Sequence, residues 1–317
     1  MTGNAILIRI YKDGDEEGIV KLFKQVFGRE MSLDEWRWKY MESYPKKVYS
    51  SVAVHKDFGI VGHYGGVCLP LIHKSNQARG LVICDVMIHA KFRGIKTLKL
   101  LSSIMPREAV KDGIIIGYGF PNINTLLKPA LSLGLYEKVE DVLEGNKDVT
   151  FNNNSTRYAF RFLPLNYSDA RIDHLWGSCK SNLSLSVVRN RQYLEWRYKN
   201  HPFHHYELWG LRKRFGRRLL GIAILRKEKD RVLLIDFLSI KDMLKPLFNK
   251  VENYVYSTGM KTLSLWFPPF MEKKIIALGF STNNAHTSIP RTTYEGFITR
   301  EEMAGKFFYT MGDTDFL

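Results

Sequence analysis

Residues 80–97 read GLVICDVMIHAKFRGIKT. The run from Gly80 to His89 is apolar and β-branched except for one carboxylate, Asp85, so it predicts a mostly buried strand. Arg93-Gly94 then breaks the pattern, and apolar Leu98, Leu101 and Met105 fall on one face of a helix spanning Arg93 to Lys111. A strand that turns sharply into a helix leaves the first backbone N–H groups of that helix without intrahelical partners. The helix dipole adds positive potential at the same place, so an anion such as a diphosphate suits it. The residues expected at this cradle are Arg93, Gly94, Ile95, Lys96 and Thr97 at the turn.

Upstream, alternation in Ala5–Tyr11 predicts a strand, and Asp15 is expected to cap a helix that Gly28 ends. Ser32 and Glu35 have the spacing of a capping box for a second helix. Ser50–Val54 and Val61–Leu69 predict a hairpin across Lys56–Gly59. Downstream, Pro106 is expected to kink or break the helix that follows Arg93. Ile114–Tyr118 predicts a strand, and Ile123–Leu133 a helix ended by Gly134. The order β-α-α-β-β-β-α-β-α-β is that of an α/β (α+β) mixed, twisted sheet flanked by helices.

The pattern then repeats. Trp38-Lys39-Tyr40 with Pro45 behind it matches Trp196-Arg197-Tyr198 with Pro202 behind it. Ile83-Cys84-Asp85-Val86 matches Leu234-Ile235-Asp236-Phe237, Phe120-Pro121 matches Phe267-Pro268, and Leu133-Gly134-Leu135 matches Leu278-Gly279-Phe280. The pairs keep their order at a spacing of 145 to 158 residues, the signature of a tandem duplication. Two domains are expected, 1–152 and 153–317, with the boundary in 145–156, where Asn152-Asn153-Asn154-Ser155 is turn-forming.

The chain of 317 residues is long enough for two cores, with 45% hydrophobic residues. No apolar run approaches a membrane span and the first ten residues lack a basic leader, so membrane insertion is not expected and a cytoplasmic location is. Three cysteines, an odd number without paired spacing, suggest buried thiols and no metal site. The net charge of +15 favours polyanionic partners without choosing among them. The densest basic run, Arg212 to Arg218, sits between two strand-like stretches and suits either a solvated hairpin or a polyanion site.

The element order, the Asp85–Gly94 segment and the repeat together resemble the GNAT acetyltransferase superfamily, once per half. The tandem members of bacterial polysaccharide and amino-sugar pathways look most similar, through Trp196–Pro202 and the ending Thr310-Met311-Gly312-Asp313-Thr314-Asp315. The resemblance implies an acetyl-CoA-dependent N-acyltransferase acting on a primary amine of an amino sugar or sugar nucleotide. Met87 and Ile88 would pair with pantetheine, and Asn122 or Asn124 would bond its arm, or else serve as a plain helix cap. Asp85, His63 and His89 are candidates for taking the proton of the amine, and a backbone N–H near Ile88 for holding the oxyanion. The Gly65-Gly66 pair beside His63 implies a close backbone approach or a bulge.

The sequence departs from the family at Lys96, which stands where a glycine or alanine is usual. It departs again at Ala130, which stands where the tyrosine acid is usual; Tyr118 and Tyr136 lie nearby, so the general acid stays unassigned. The second copy lacks the Arg-Gly turn after Leu238, so it is expected to bind no coenzyme A and to help hold the acceptor through residues such as Trp266, Asp236, Arg197 and His205. The alternative is a non-catalytic GNAT-like module that binds through its basic surface. Nucleic acid is not expected as a partner, and a homodimer is compatible with the sequence.

Overall fold

The computed structural model describes residues 6–43, 46–121, 127–150 and 159–314. The chain divides into two units. The first gathers residues 1–71, 78–139 and 288–302, and the second gathers 72–77, 140–287 and 303–317. Residues 151–158, where much of the expected boundary falls, lie outside the described residues, as does Pro45.

In the first unit, β1 (Ile6–Ile10) lies antiparallel to β2 (Tyr49–His55), and β2 to β3 (Gly59–His73). Next to β3 runs β4 (Asn76–Ile88), which pairs in parallel with β5 (Ile116–Tyr118). Helix α1 (Glu16–Phe27) buries Ile19, Leu22 and Phe23 and ends at Gly28, whose φ of 71° satisfies the Lys24 carbonyl in a left-handed cap. Asp15 holds the expected N-cap position and its carbonyl accepts from the Ile19 amide, but its carboxylate takes the Arg9 guanidinium at 2.6 Å and the Lys12 amide rather than a helix amide. Helix α2 (Leu33–Tyr40) begins as expected, with the Ser32 hydroxyl accepting from the Glu35 amide at 3.0 Å, although Glu35 turns towards Arg29 rather than back to Ser32.

Helix α3 (Ile95–Lys111) connects β4 to β5 and seats Leu101, Met105 and Ala109 in the core. Of the kink or break expected at Pro106, the break does not occur. Proline removes one amide from the ladder, but here its ring is itself buried, and that packing keeps the helix continuous through it. Helix α4 (Lys128–Ser132) ends at Gly134, φ 67°, and β6 (Tyr136–Asp148) follows.

The second unit repeats the plan. Its β7 (Phe160–Pro164), helix α5 (Arg171–Cys179), β8 (Leu185–Val187) and helix α6 (Arg191–Leu194) lead into a π-helical turn, Glu195–Lys199. Then come β9 (Glu207–Lys213), β10 (Leu219–Lys227), β11 (Arg231–Ser239), helix α7 (Leu244–Ser257) and β12 (Thr262–Phe267). The strand order is β7-β9-β10-β11-β12, with residues 143–148 of β6 outside β12. Every pairing is antiparallel except β11 with β12. Helix α8 (Glu272–Ala277) leads to β13 (Ser281–Thr292), which from Ser288 on belongs to the first unit and there sets Arg291 opposite Tyr118; in the second unit β14 (Phe307–Phe308) pairs in parallel with β8. Each unit thus holds one strand–helix–parallel-strand crossover, β4-α3-β5 or β11-α7-β12, and each repeated Asp lies on the first strand of its crossover.

Candidate active site in the first unit

Asp85 interrupts β4 in a left-handed conformation, φ 48°, which costs a non-glycine residue free energy and persists only where neighbours enforce it. Three neighbours do. Lys39 and Tyr40, at the end of α2, reach its carboxylate at 2.9 Å and 2.6 Å. On β3, His63 Nδ1 lies 2.7 Å from the Asp85 carbonyl. A carbonyl can only accept, so Nδ1 carries the proton and Nε2 keeps a bare lone pair, buried without a hydrogen-bond partner. Burial holds the His63 pKa below its ordinary value. Burial alone would raise the Asp85 carboxyl, but the Lys39 charge and the Tyr40 and His63 contacts outweigh it and hold Asp85 below the usual range, ionised. Gly65 is the close approach expected from the sequence: a Cβ there would stand 2.5 Å from the Tyr40 hydroxyl and 2.6 Å from the His63 ring.

Past this clamp the sheet forks. β5 pairs with β4 only through Gly80, Leu81 and Val82, and Gly119 slips past the Ile83 carbonyl, where a Cβ would stand at 2.9 Å. The His89 amide is donated to Val61 on β3. Because successive strand residues alternate direction, the Ile88 N–H points away from β3, towards the side that β5 has left. A short 3-10 turn, Ala90–Phe92, then leads through Arg93 and Gly94 into α3. Gly94 is extended, φ −179°, and a Cβ there would meet nothing within 4 Å, so this glycine provides openness rather than a special conformation. The first turn of α3 holds no acidic residue and no side-chain cap, and residues 93–96 are exposed. An open fork of backbone donors running into an uncapped helix N-terminus can hold an extended amide-bearing arm followed by a diphosphate.

Solved structures with this architecture were found at low sequence identity. A probable N-acyltransferase from Enterococcus faecalis matches with a TM-score of 0.70 at 12% identity, over 90% of this chain and 72% of that one. A GCN5-related N-acetyltransferase from Kribbella flavida matches at 0.69 and 12%, over 90% and 70%. The N-myristoyltransferase of Saccharomyces cerevisiae, solved with bound myristoyl-CoA, matches at 0.61 and 10%, over 92% and 80%. The chain has the GNAT fold. No family model matches the chain, and no curated protein sequence does.

Within this GNAT fold the expected residues separate into groups. Asp85 and His63 meet, joined by Lys39 and Tyr40, which the repeat marked without a role. Met87, Ile88, Arg93, Gly94, Ile95, Lys96 and Thr97 line the strand end and the helix start, with Arg93 Nε 3.3 Å from the Ile88 carbonyl. His89 belongs to neither group. Its Nδ1 accepts the Lys91 amide at 3.3 Å, and its ring packs beside Phe58 and Phe92. Asn122 and Asn124 lie outside the described residues. Ala130 is buried in the core.

The second unit carries the same clamp on a different cation. Tyr198 donates to Asp236 at 2.8 Å, as Tyr40 does to Asp85. The matched cation does not follow: Arg197 donates to the Gly312 and Thr314 carbonyls, and Arg189 takes Asp236 at 2.9 Å and Asp313 at 2.6 Å. Thr310 adds a further bond to Asp236 at 3.0 Å. Here β11 also parts from β12 after Leu234, but the C-terminal turn Met311–Asp313 packs against both strands. Gly312 sits so close to the Tyr198 hydroxyl that no side chain could replace its hydrogen. Beyond β11, Asp242 stands at φ 65°, one residue ahead of Met243, which holds the capping position that Gly94 holds in the first unit. Asp236 and Arg197 are therefore buried within the second unit, Trp266 is half-buried and His205 is exposed. Among the described residues no group of His, Cys, Asp or Glu side chains is placed to hold a metal ion, and no helix is long and apolar enough to cross a membrane.

Proposed function

We propose that the first unit binds an acyl-CoA thioester and transfers its acyl group to a primary amine. The observation that carries this reading is the fork between β4 and β5 ending at the uncapped N-terminus of α3. The pantetheine amides pair with the strand edge at Met87 and Ile88, and the diphosphate rests on the amides of residues 95–97, with Arg93 and Lys96 supplying charge. The Ile88 N–H faces the thioester carbonyl and stabilises the oxyanion as the amine adds. Attack forms the C–N bond, collapse breaks the C–S bond, and the amine proton leaves to water at the open mouth while the thiolate is protonated from solvent.

Asp85 and His63 act in this scheme by position. Their contacts with Lys39 and Tyr40 hold the bend that turns Ile88 outward, and neither offers an exposed base. His89 Nε2, carrying its proton, is a donor beside the turn. We assign acetyl-CoA as the donor. The acceptor we assign is an amine on a sugar nucleotide, whose phosphates suit a chain of net charge +15.

The test is thermal unfolding with and without acetyl-CoA, followed by thiol release in the presence of amino-sugar nucleotides. Ligand at about 100 times its Kd adds roughly 2.7 kcal/mol to stability, a shift of several degrees. Cooperative melting that millimolar acetyl-CoA leaves unmoved would remove the reading.

A further inference from the structure

The basic run singled out in the sequence forms the turn between β9 and β10, and the acyl-transfer scheme gives it no task. Phe215 at its tip is 92% exposed, far beyond any other large apolar side chain among the described residues. The turn is built rather than loose: Arg212 donates to the carbonyls of Lys213, Arg214 and Gly216 at 3.2, 3.1 and 2.9 Å. Lys213, Arg214, Arg217 and Arg218 flank Phe215 in the sequence and are exposed, and the Arg214 guanidinium lies 5.6 Å from the ring centre. Beside the turn lies an open pocket of about 470 Å³, with Arg171, His174, Ser178, Arg217 and Arg218 around a floor of Leu175 and Leu219. Arg171 takes Asp169 at 2.6 Å, and Arg218 donates to the Ser178 hydroxyl at 3.2 Å. The cationic pocket beside the protruding aromatic therefore carries more positive charge than the Asp169 carboxylate offsets.

We propose that this hairpin docks the protein on an anionic phospholipid surface, with Phe215 entering the acyl boundary and a lipid phosphate held in the arginine pocket. An isolated aromatic wedge between basic side chains suits the interface between headgroups and hydrocarbon. A nucleic-acid strand would call for a series of stacking faces along a basic track, and the turn offers one ring and one pocket.

Co-sedimentation with vesicles of phosphatidylcholine alone, or with phosphatidylglycerol added, tests the proposal on the full chain. The anionic vesicles should retain the protein at least about tenfold better. Phe215→Ser should lower that retention about tenfold. The double change Arg217→Glu with Arg218→Glu should lower it about a hundredfold. Both variants alter side chains at the turn's surface, and an unchanged thermal melt shows that the fold persists. Equal retention on neutral vesicles, or variants that sediment like the parent, would overturn the proposal. So would binding of a structured RNA that depends on Phe215 more steeply than vesicle binding does.

Discussion

The two units carry the same clamp and put it to different ends. In each, a tyrosine that follows a Trp-Lys or Trp-Arg pair donates to an aspartate on the first strand of the parallel crossover, and the sheet opens just beyond. In the first unit the opening leads to Gly94 and a helix start free of acidic side chains. In the second the C-terminal turn packs on the parted strands, bonded through Thr310 and Arg197, and Met243 rather than a glycine holds the helix-capping position. The fork recurs in both units, and among the described residues only the second is filled by the C-terminal turn. What separates the proposed ligand site from a structural core is the filling of the fork.

The largest effects should come from the aspartates. Asp236→Ala leaves the buried Arg189 one carboxylate short, and Asp85→Ala takes the carboxylate away from the buried Lys39. Each should cost roughly 3–5 kcal/mol in urea unfolding. Where the variants remain folded, calorimetric titration should show coenzyme A binding lost in Asp85→Ala and kept in Asp236→Ala. Loss in both would break the comparison.

Tyr40→Phe and Tyr198→Phe each remove one bond to a buried carboxylate and should cost about 1.5–3 kcal/mol. Only the first should weaken coenzyme A binding. Gly94→Asp sets a carboxylate at the helix start of the first unit. It should lower coenzyme A affinity about tenfold, near 1.4 kcal/mol, while the melting temperature holds or rises, because Asp is a good helix cap. Met243→Gly, which gives the second helix the capping residue of the first, should create no second binding equivalent while the C-terminal turn remains.

The smallest effects are in pH dependence, and they run in opposite directions. His63 is held below its ordinary pKa, so the unfolded chain takes up that proton first, and this group's contribution to stability is lost as pH falls below about 6.5. Asp313 is pushed up to about 6 by burial and by Asp236, so the folded state binds its proton more tightly than the unfolded chain does. Its contribution is greatest in acid and declines as pH rises from about 4 towards 6. Thermal melts of His63→Gln and Asp313→Asn against pH should flatten the two trends separately.

Much of this was legible in the sequence because the repeat preserved it. Matching Tyr40 with Tyr198 and Asp85 with Asp236 marked both halves of the clamp before any geometry was known, and Gly65 signalled a close approach. The cations were not legible. Lys39 and Arg197 match in sequence, yet Asp236 draws its charge from Arg189, a residue the matched segments do not include. Sequence similarity also cannot show that Thr310–Thr314 folds onto β11, since that contact joins residues 74 apart. Pairing and packing decide what the sequence leaves open: Pro106 is buried inside a continuous helix, and Arg9 draws the carboxylate of the N-cap residue Asp15 away from the helix amides.

The most direct test is amide hydrogen exchange with and without acetyl-CoA, read along both crossovers. Protection should rise in residues 86–97 and stay unchanged in residues 237–247. Equal protection in the two stretches, or none at 86–97 when binding is saturated, would contradict the claim that only the first fork is open to a ligand.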